Sequence, residues 1–297
     1  MEESPHGHDP VLMDEVLDLL ALQAGEVAVD CTLGRGGHAL AIAQRLGPAG
    51  TLIALDADPR NLEYAEGRLA EAPCKVELHH ANFGTLRDIL GDRSVDVLLA
   101  DLGVSTNQLT SDTHGLSFSV DGPLDMRLDP DLRTTAADIL RTTPEKQLAD
   151  LIYQNGDERF SRRIAKRIVE TRRQAPIRTT AQLAELVRFA IPKRLHDKRI
   201  HPATRTFQAL RMAVNREREN LEALLDSVPQ VLSSGGRCGL ISFHSHEDRP
   251  VKHRLNEWSS LGLLEKLTKR PITPGEAELT ANPRSRSAKL RGARRVG

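Results

Sequence analysis

The fold predicted for this chain is doubly wound α/β, and three observations predict it. Three short apolar runs, Val27–Asp30, Thr51–Asp56 and Val95–Asp101, read as buried strands, and each ends on an aspartate. Helical segments separate these runs, so the strands are parallel and covered on both faces. A glycine-rich turn, Cys31-Thr32-Leu33-Gly34-Arg35-Gly36-Gly37-His38, follows the first run and leads into an apolar helix. In open sheets of this kind ligands bind outside the carboxyl ends of the strands, where the three aspartates gather.

Each element follows in order. Residues 11–22 place Val11, Leu12, Val16, Leu19 and Leu20 on one helical face. The first strand (27–30), the turn and a helix over 38–46 come next, and Gly47-Pro48-Ala49-Gly50 breaks the pattern. The second strand (51–56) leads to a helix near 60–70, a strand at 75–79 and the strand at 95–101. This β-α-β-α-β alternation is half of a doubly wound sheet. The next convincing strand, 236–243, starts about 135 residues later, too far for one crossover helix. Residues 131–200 have helical patterning, with Pro144 near one helix start and Pro176 and Pro192 as breaks. The expected organisation is a discontinuous core, 1–109 and 204–297, with an inserted helical domain over 110–203 for substrate recognition. The segment 203–231 is expected to return as one long helix of the core.

Composition narrows the function classes. Charged residues at 28% and apolar residues at 39% indicate a soluble globular protein. The net charge is zero but unevenly spread: residues 161–200 carry twelve Lys or Arg against three acidic residues. Residues 266–295 carry nine basic residues against Glu276 and Glu278. Such segregation suits a polyanion laid along one face, most simply nucleic acid, although solvated helix surface and a disordered basic tail give the same count. Aromatic residues, at 3%, are too few for a stacking platform along a single strand. Cys31, Cys74 and Cys238 follow no C-x-x-C spacing, which argues against structural zinc or a disulfide framework and fits a reducing cytoplasm. No apolar run is long enough to span a membrane.

The glycine turn carries the chemistry. It follows a strand and precedes a helix, and Asp56 lies twenty-two residues beyond Gly34, placed to accept hydrogen bonds from two ribose hydroxyls. Nicotinamide enzymes share that much. Here, however, the full G-x-G-x-x-G spacing is missing, and Asp30 stands where it would repel a pyrophosphate. A nucleoside with hydroxyls and a net positive head fits better, and S-adenosyl-L-methionine is such a molecule. Asp101 and the following Leu-Gly-Val-Ser-Thr-Asn-Gln sit where an acceptor meets the methyl donor. An exocyclic base amine is a poor nucleophile, and a carboxylate accepting its N–H bonds would stabilise charge developing on it. Asp101 is the candidate catalytic residue on that ground, or else a contact to the donor's amino group. The run Phe243-His244-Ser245-His246-Glu247-Asp248-Arg249 superficially matches a metallo-hydrolase ligand set, but Arg249 falls where another ligand belongs. It is read as a polar loop facing the substrate, with Arg249 or Lys252 for phosphate, and no metal is expected. Arg205 and Arg211 are read as at most backbone contacts.

GRGGH, DLGVS, DGPLDMR (121–127), ERF (158–160), HPATRTFQALR (201–211), FHS-x-EDR (243–249) and NPRSRSAKLR (282–291) resemble, in order, the bacterial MraW/RsmH family, as does the opening His8-Asp9-Pro10-Val11-Leu12. The resemblance implies a class I, Rossmann-like S-adenosylmethionine-dependent methyltransferase with an inserted helical domain. It implies methylation of N4 of a specific cytidine in 16S ribosomal RNA of the small subunit, near the decoding centre. It also implies a donor site made by Gly36, Gly37 and His38 with Asp56 on the ribose, Phe83 against the adenine, and Asp101 and Gln108 completing it. Departures from the family pattern are Cys31 and Leu33 in the turn, Thr106-Asn107 after DLGVS, and His246 in place of a usual leucine. The expected location is cytoplasmic, and exposed apolar positions on the inserted domain would support a homodimer. A different amine acceptor (DNA or protein), or a non-catalytic ribosome-assembly factor, are the alternative functions.

Overall fold

The computed structural model describes residues 10–110, 114–197 and 200–297, so His8 and Asp9 of the opening motif lie outside the described residues. Its contacts divide the chain into two units, one of residues up to Gly103 together with Arg218–Gly297, the other of Val104–Glu217.

The first unit holds a seven-stranded sheet. In chain order its strands are β1 (Val27–Asp30), β2 (Thr51–Asp56), β3 (Lys75–His80), β4 (Val95–Asp101), β5 (Leu232–Ser242), β6 (Leu264–Lys266) and β7 (Lys289–Arg295). Across the sheet the order is β3-β2-β1-β4-β5-β7-β6. The first five strands run parallel, and β7 is antiparallel to both of its neighbours. This is the Rossmann-like order of the class I methyltransferase fold that the sequence predicts. Successive residues of each central strand face opposite ways. Val29, Ile53, Leu98 and Leu240 join one apolar layer, with Leu86, Leu221, Leu225 and Val251 from α4 (Leu86–Leu90), α11 (Glu217–Val231) and α12 (Ser245–Ser260). Ala28, Leu52, Leu99 and Ile241 join the other, against α1 (Met13–Leu20), α2 (Gly37–Leu46) and α3 (Pro59–Leu69). Burial on both faces explains why these strands read as unbroken apolar runs.

Two expectations for this unit need correction. β5 begins at Leu232, not 236, because Ser233 Oγ donates to Asp96 Oδ1 at 2.6 Å and Gly235 takes φ +77°, carrying the chain into register with β4. The end of the basic tail, whose order the sequence left open, is strand: Arg291, 7% exposed, donates to Asp248 Oδ1 at 2.8 Å, Lys289 reaches Asp248 Oδ2 at 3.1 Å, and Arg294 reaches Glu265 at 2.8 Å. The run after Phe243 is the start of α12 rather than a loop.

The second unit is helical: α5 (Thr106–Thr110), α6 (Ala136–Thr142), α7 (Glu145–Gly156), α8 (Ser161–Arg172), α9 (Thr180–Ala190) and α10 (Thr204–Val214). Thr135 and Thr179 cap α6 and α9 with reciprocal capping boxes to Asp138 and Gln182, and Pro176 and Pro192 stand in breaks as expected. The expected long helix over 203–231 is broken at Asn215 and Arg216, the latter at φ +51°. Asn215 holds the break, donating to Arg211 O at 2.9 Å and Met126 O at 2.7 Å and accepting from Leu128 N at 2.8 Å. α10 therefore belongs to the second unit, not to the core: a β-carbon on Gly156 of α7 would lie 2.4 Å from Arg205 O. No helix among the described residues is long and apolar enough to cross a membrane.

Candidate active site

The sheet order reverses between β1 and β4, and those two strands carry Asp30 and Asp101 at their carboxyl ends. This is the switch point at which open parallel sheets bind ligands. β2 brings Asp56 alongside, and all three side chains are largely buried. Burial acts against the charged form of each. It pushes Asp30 up to about 7, helped by the negative charge of Asp56. It pushes Asp56 to about 6. Asp101 is raised well above the carboxylate range by burial first, then by the charges of Asp30 and Glu247.

Hydrogen bonding divides the roles. Asp56 Oδ2 accepts from Gly34 N at 2.7 Å and Asn61 Nδ2 at 3.2 Å, and its Oδ1 accepts from Asp58 N at 2.8 Å. The carboxylate thus clamps the glycine turn to the end of β2 and retains part of its acceptor capacity. Asp30 Oδ1 accepts from Thr32 N at 3.0 Å, and Thr32 Oγ1 accepts from Asp101 N at 2.6 Å, which ties β1 to β4. Asp30 Oδ2 and Asp101 Oδ1 are buried and meet no donor among the described residues. Unpaired buried carboxylate oxygens are costly and call for a cationic or N–H-bearing partner. S-adenosylmethionine presents both kinds of group, so this donor set fits it.

The turn itself is shaped by its own neighbours. Gly34 and Gly36 take φ +52° and +75°, left-handed values that favour glycine. A β-carbon on Gly37 would fall 2.3 Å from Pro10 Cγ, so this glycine admits the opening segment of the chain. His38 is buried, with Nε2 3.0 Å from Val11 O and Nδ1 3.9 Å from Asp101 Oδ2. Phe83 opens a short 3-10 turn after β3 and packs half-buried on the core. Gln108 lies in the second unit, buried in α5, where its Oε1 accepts from Ser105 N at 3.0 Å. Gly36, Gly37, His38, Asp56 and Asp101 therefore all lie on the strand ends and helix starts of the first unit, and Phe83 follows the adjacent strand.

Two participants escaped the sequence reading. Thr32 bridges Asp30 and Asp101, as described above. Glu247, 6% exposed, accepts from Phe243 N at 2.8 Å and His244 N at 3.3 Å, lies 3.1 Å from His244 Nε2, and adds its charge beside Asp101. The spacing from His244 to Glu247, a capping position followed three residues later by glutamate, is the signal that marks a helix start here.

Comparison with known proteins adds an independent line. A protein called ribosomal RNA small subunit methyltransferase H from Acidobacterium capsulatum is 50% identical over 294 residues, covering 96% of this chain and 97% of that protein. Proteins of the same name from Koribacter versatilis and Solibacter usitatus are 48% and 49% identical, covering 97% and 96% of this chain and 94% and 98% of their own lengths. The sequence profile of the MraW methylase family matches residues 5–296, and the chain belongs to that family.

Proposed function

We propose that this protein transfers a methyl group from S-adenosylmethionine to N4 of a specific cytidine in the 16S ribosomal RNA of the small subunit. The observation that carries the reading is the buried pair of unpartnered carboxylate oxygens, on Asp30 and Asp101, at the switch point of the sheet. The relatives' shared name supplies the acceptor class. When bound, S-adenosylmethionine supplies a methyl group already activated on a positively charged sulfur.

The chain's own residues then bind, orient and move a proton. Asp56 accepts from the ribose hydroxyls while holding the Gly34 turn, and Gly36, Gly37 and His38 form the wall that follows. Phe83 would lie against the adenine. The Asp30 and Asp101 carboxylates would face the positive end of the donor, and a nearby cation favours their ionised forms. Asp101 accepts the N–H of the target amine and stabilises charge arising on nitrogen. The burial that raises its pKa also makes its carboxylate basic enough to receive the amine proton, which passes on to solvent. Alignment contributes most of the remaining acceleration, because the methyl group needs no further activation. The target cytidine must be unstacked to reach this site. The reading places the protein in the cytoplasm, acting on small subunits, and leaves a homodimer as its proposed assembly.

The test is methyl transfer from labelled S-adenosylmethionine to small ribosomal subunits from a strain lacking the enzyme, followed by nucleoside mass analysis. N4-methylated cytidine, or its 2′-O-methylated form, is the expected product. Donor binding without incorporation would overturn the acceptor; absence of donor binding would overturn the enzyme reading.

A further inference from the structure

α8 buries Ser161, Ile164, Ala165, Ile168 and Val169 and turns Arg163, Lys166, Arg167 and Glu170 outward, at the i, i+3, i+4, i+7 spacing of one helical face. With Phe189 and Ala190 at the end of α9, these four side chains line an open groove of about 600 Å³ within the second unit. Arg163 and Arg167 are exposed and make no ion pair among the described residues, whereas Lys166 reaches Glu170 at 4.0 Å. Phe189 is 61% exposed, and of the chain's six phenylalanines, all described, it alone is exposed. The guanidinium carbon of Arg188 stands 4.4 Å from the centre of its ring.

An exposed ring backed by a guanidinium, beside unpaired cations on one helix face, matches single-stranded nucleic acid. Phosphates neutralise the cations, and a base stacks on the aromatic ring. A second protein chain would meet the same ring but would gain little from unpaired arginines unless it were acidic. We infer that the α8–α9 groove of the second unit is a docking site for a single-stranded RNA segment, its phosphates on Arg163, Lys166 and Arg167 and one base on Phe189. This inference rests on the ribosomal RNA reading above. A single ring serves one base, so the low aromatic content of the chain is no obstacle.

The experiment measures binding of a short fluorescein-labelled single-stranded RNA by anisotropy over a salt series, using the full-length protein. Arg163→Gln/Arg167→Gln should lower the slope of log affinity on log salt by about 1.4, roughly 0.7 per lost phosphate contact on a single strand. Phe189→Ala should weaken binding about tenfold with the salt slope unchanged, and Phe189→Tyr should restore it. Donor binding and thermal stability should be unaltered in all three, since these side chains are exposed. Variants that bind RNA as the unaltered protein does, with the same slope, overturn the groove. So does a Phe189→Ala protein that changes its mass by light scattering, which would make this face a contact between protein chains. The two readings fail separately: methylation of small subunits by the unaltered protein, alongside unaffected groove variants, sinks only the groove. Loss of methyl transfer in the unaltered protein, with groove variants still impaired on short RNA, sinks only the proposed acceptor.

Discussion

Asp30, Asp56 and Asp101 share a burial environment yet differ in what their oxygens meet. Asp56 is saturated enough by Gly34, Asn61 and Asp58 to hold the turn without a ligand, while Asp30 and Asp101 each keep one buried oxygen unpaired. Titration should expose the difference. Asp30 holds its proton up to about 7 in the folded protein, whereas the unfolded chain releases it near 4. The folded state thus binds the extra proton, and donor-free protein loses stability as pH rises from about 4 to about 7. A cationic donor prefers the ionised form, so its affinity should climb as pH rises toward about 7 and level off above it. Calorimetric titration across pH checks this, and an Asp30→Asn protein should show a flatter profile; affinity independent of pH would remove Asp30 from the site. A second contrast separates Asp56 from Asp101. Asp56→Ala should weaken donor binding by about ten- to a hundredfold through lost charged hydrogen bonds. Asp101→Ala should instead lower turnover about 10²- to 10⁴-fold, with a smaller loss in RNA binding. Donor titration reads the first and single-turnover methyl transfer at saturating donor the second, and normal turnover in Asp101→Ala would end its catalytic assignment.

Among the elements, β7 is held by ion pairs in addition to its ladders with β5 and β6. Asp248, at the start of α12, holds both Lys289 and Arg291, and Arg291 is buried. Those cations also hold the Asp248 carboxyl below its usual range, against the opposing effect of burial. Asp248→Ala would strand a buried guanidinium and should destabilise the first unit by about 3 kcal/mol, read as a lower denaturant midpoint at unchanged slope. Asp248→Asn, which keeps an acceptor, should cost less. The elements that were legible in the sequence are those whose signal is local. β1, β2 and β4 were read at their observed bounds because burial on two faces leaves unbroken apolar runs ending in aspartate. β6 and β7 were not: Lys-Leu-Arg-Gly-Ala-Arg-Arg contains four cations, and it forms a strand through its ladders with β5 and β6, with Asp248 and Glu265, distant in the chain, taking three of those cations. The Asn215 break was equally hidden, since its partners Met126 and Leu128 lie almost ninety residues away. For the site, the aspartates were readable from strand ends and Glu247 from its capping spacing after His244, while Thr32 acts through a contact to Asp101 that no spacing displays. Gly37 was readable as a glycine, but the atom it makes room for belongs to Pro10.

On the scale of the whole molecule, charge is divided by use. Of the basic side chains of β7, Lys289 and Arg291 pair with Asp248, Arg294 with Glu265, and Arg295 donates to the carbonyl of Leu232, whereas Arg162, Arg163, Lys166 and Arg167 of α8 are exposed in the second unit. Removing the residues from Lys289 onward should therefore leave RNA affinity of the second unit largely intact and abolish cooperative folding of the first. Circular dichroism melts and donor titration of the shortened protein check this; a sharp melt with normal donor binding would show β7 to be dispensable. The position of β7 also bears on how the chain is made. β5 is reached only after the second unit has been synthesised, and its far edge, with Gly239, Leu240 and Ile241, waits for a partner that follows every other strand. Until that partner leaves the ribosome, an apolar strand stands with unpaired amides and carbonyls, the kind of edge that recruits other chains. Yield in the cell should consequently depend on how quickly the last strand is translated and on the chaperones that shield β5 in the interval, so that slow codons after α12 would be more damaging than slow codons anywhere before it.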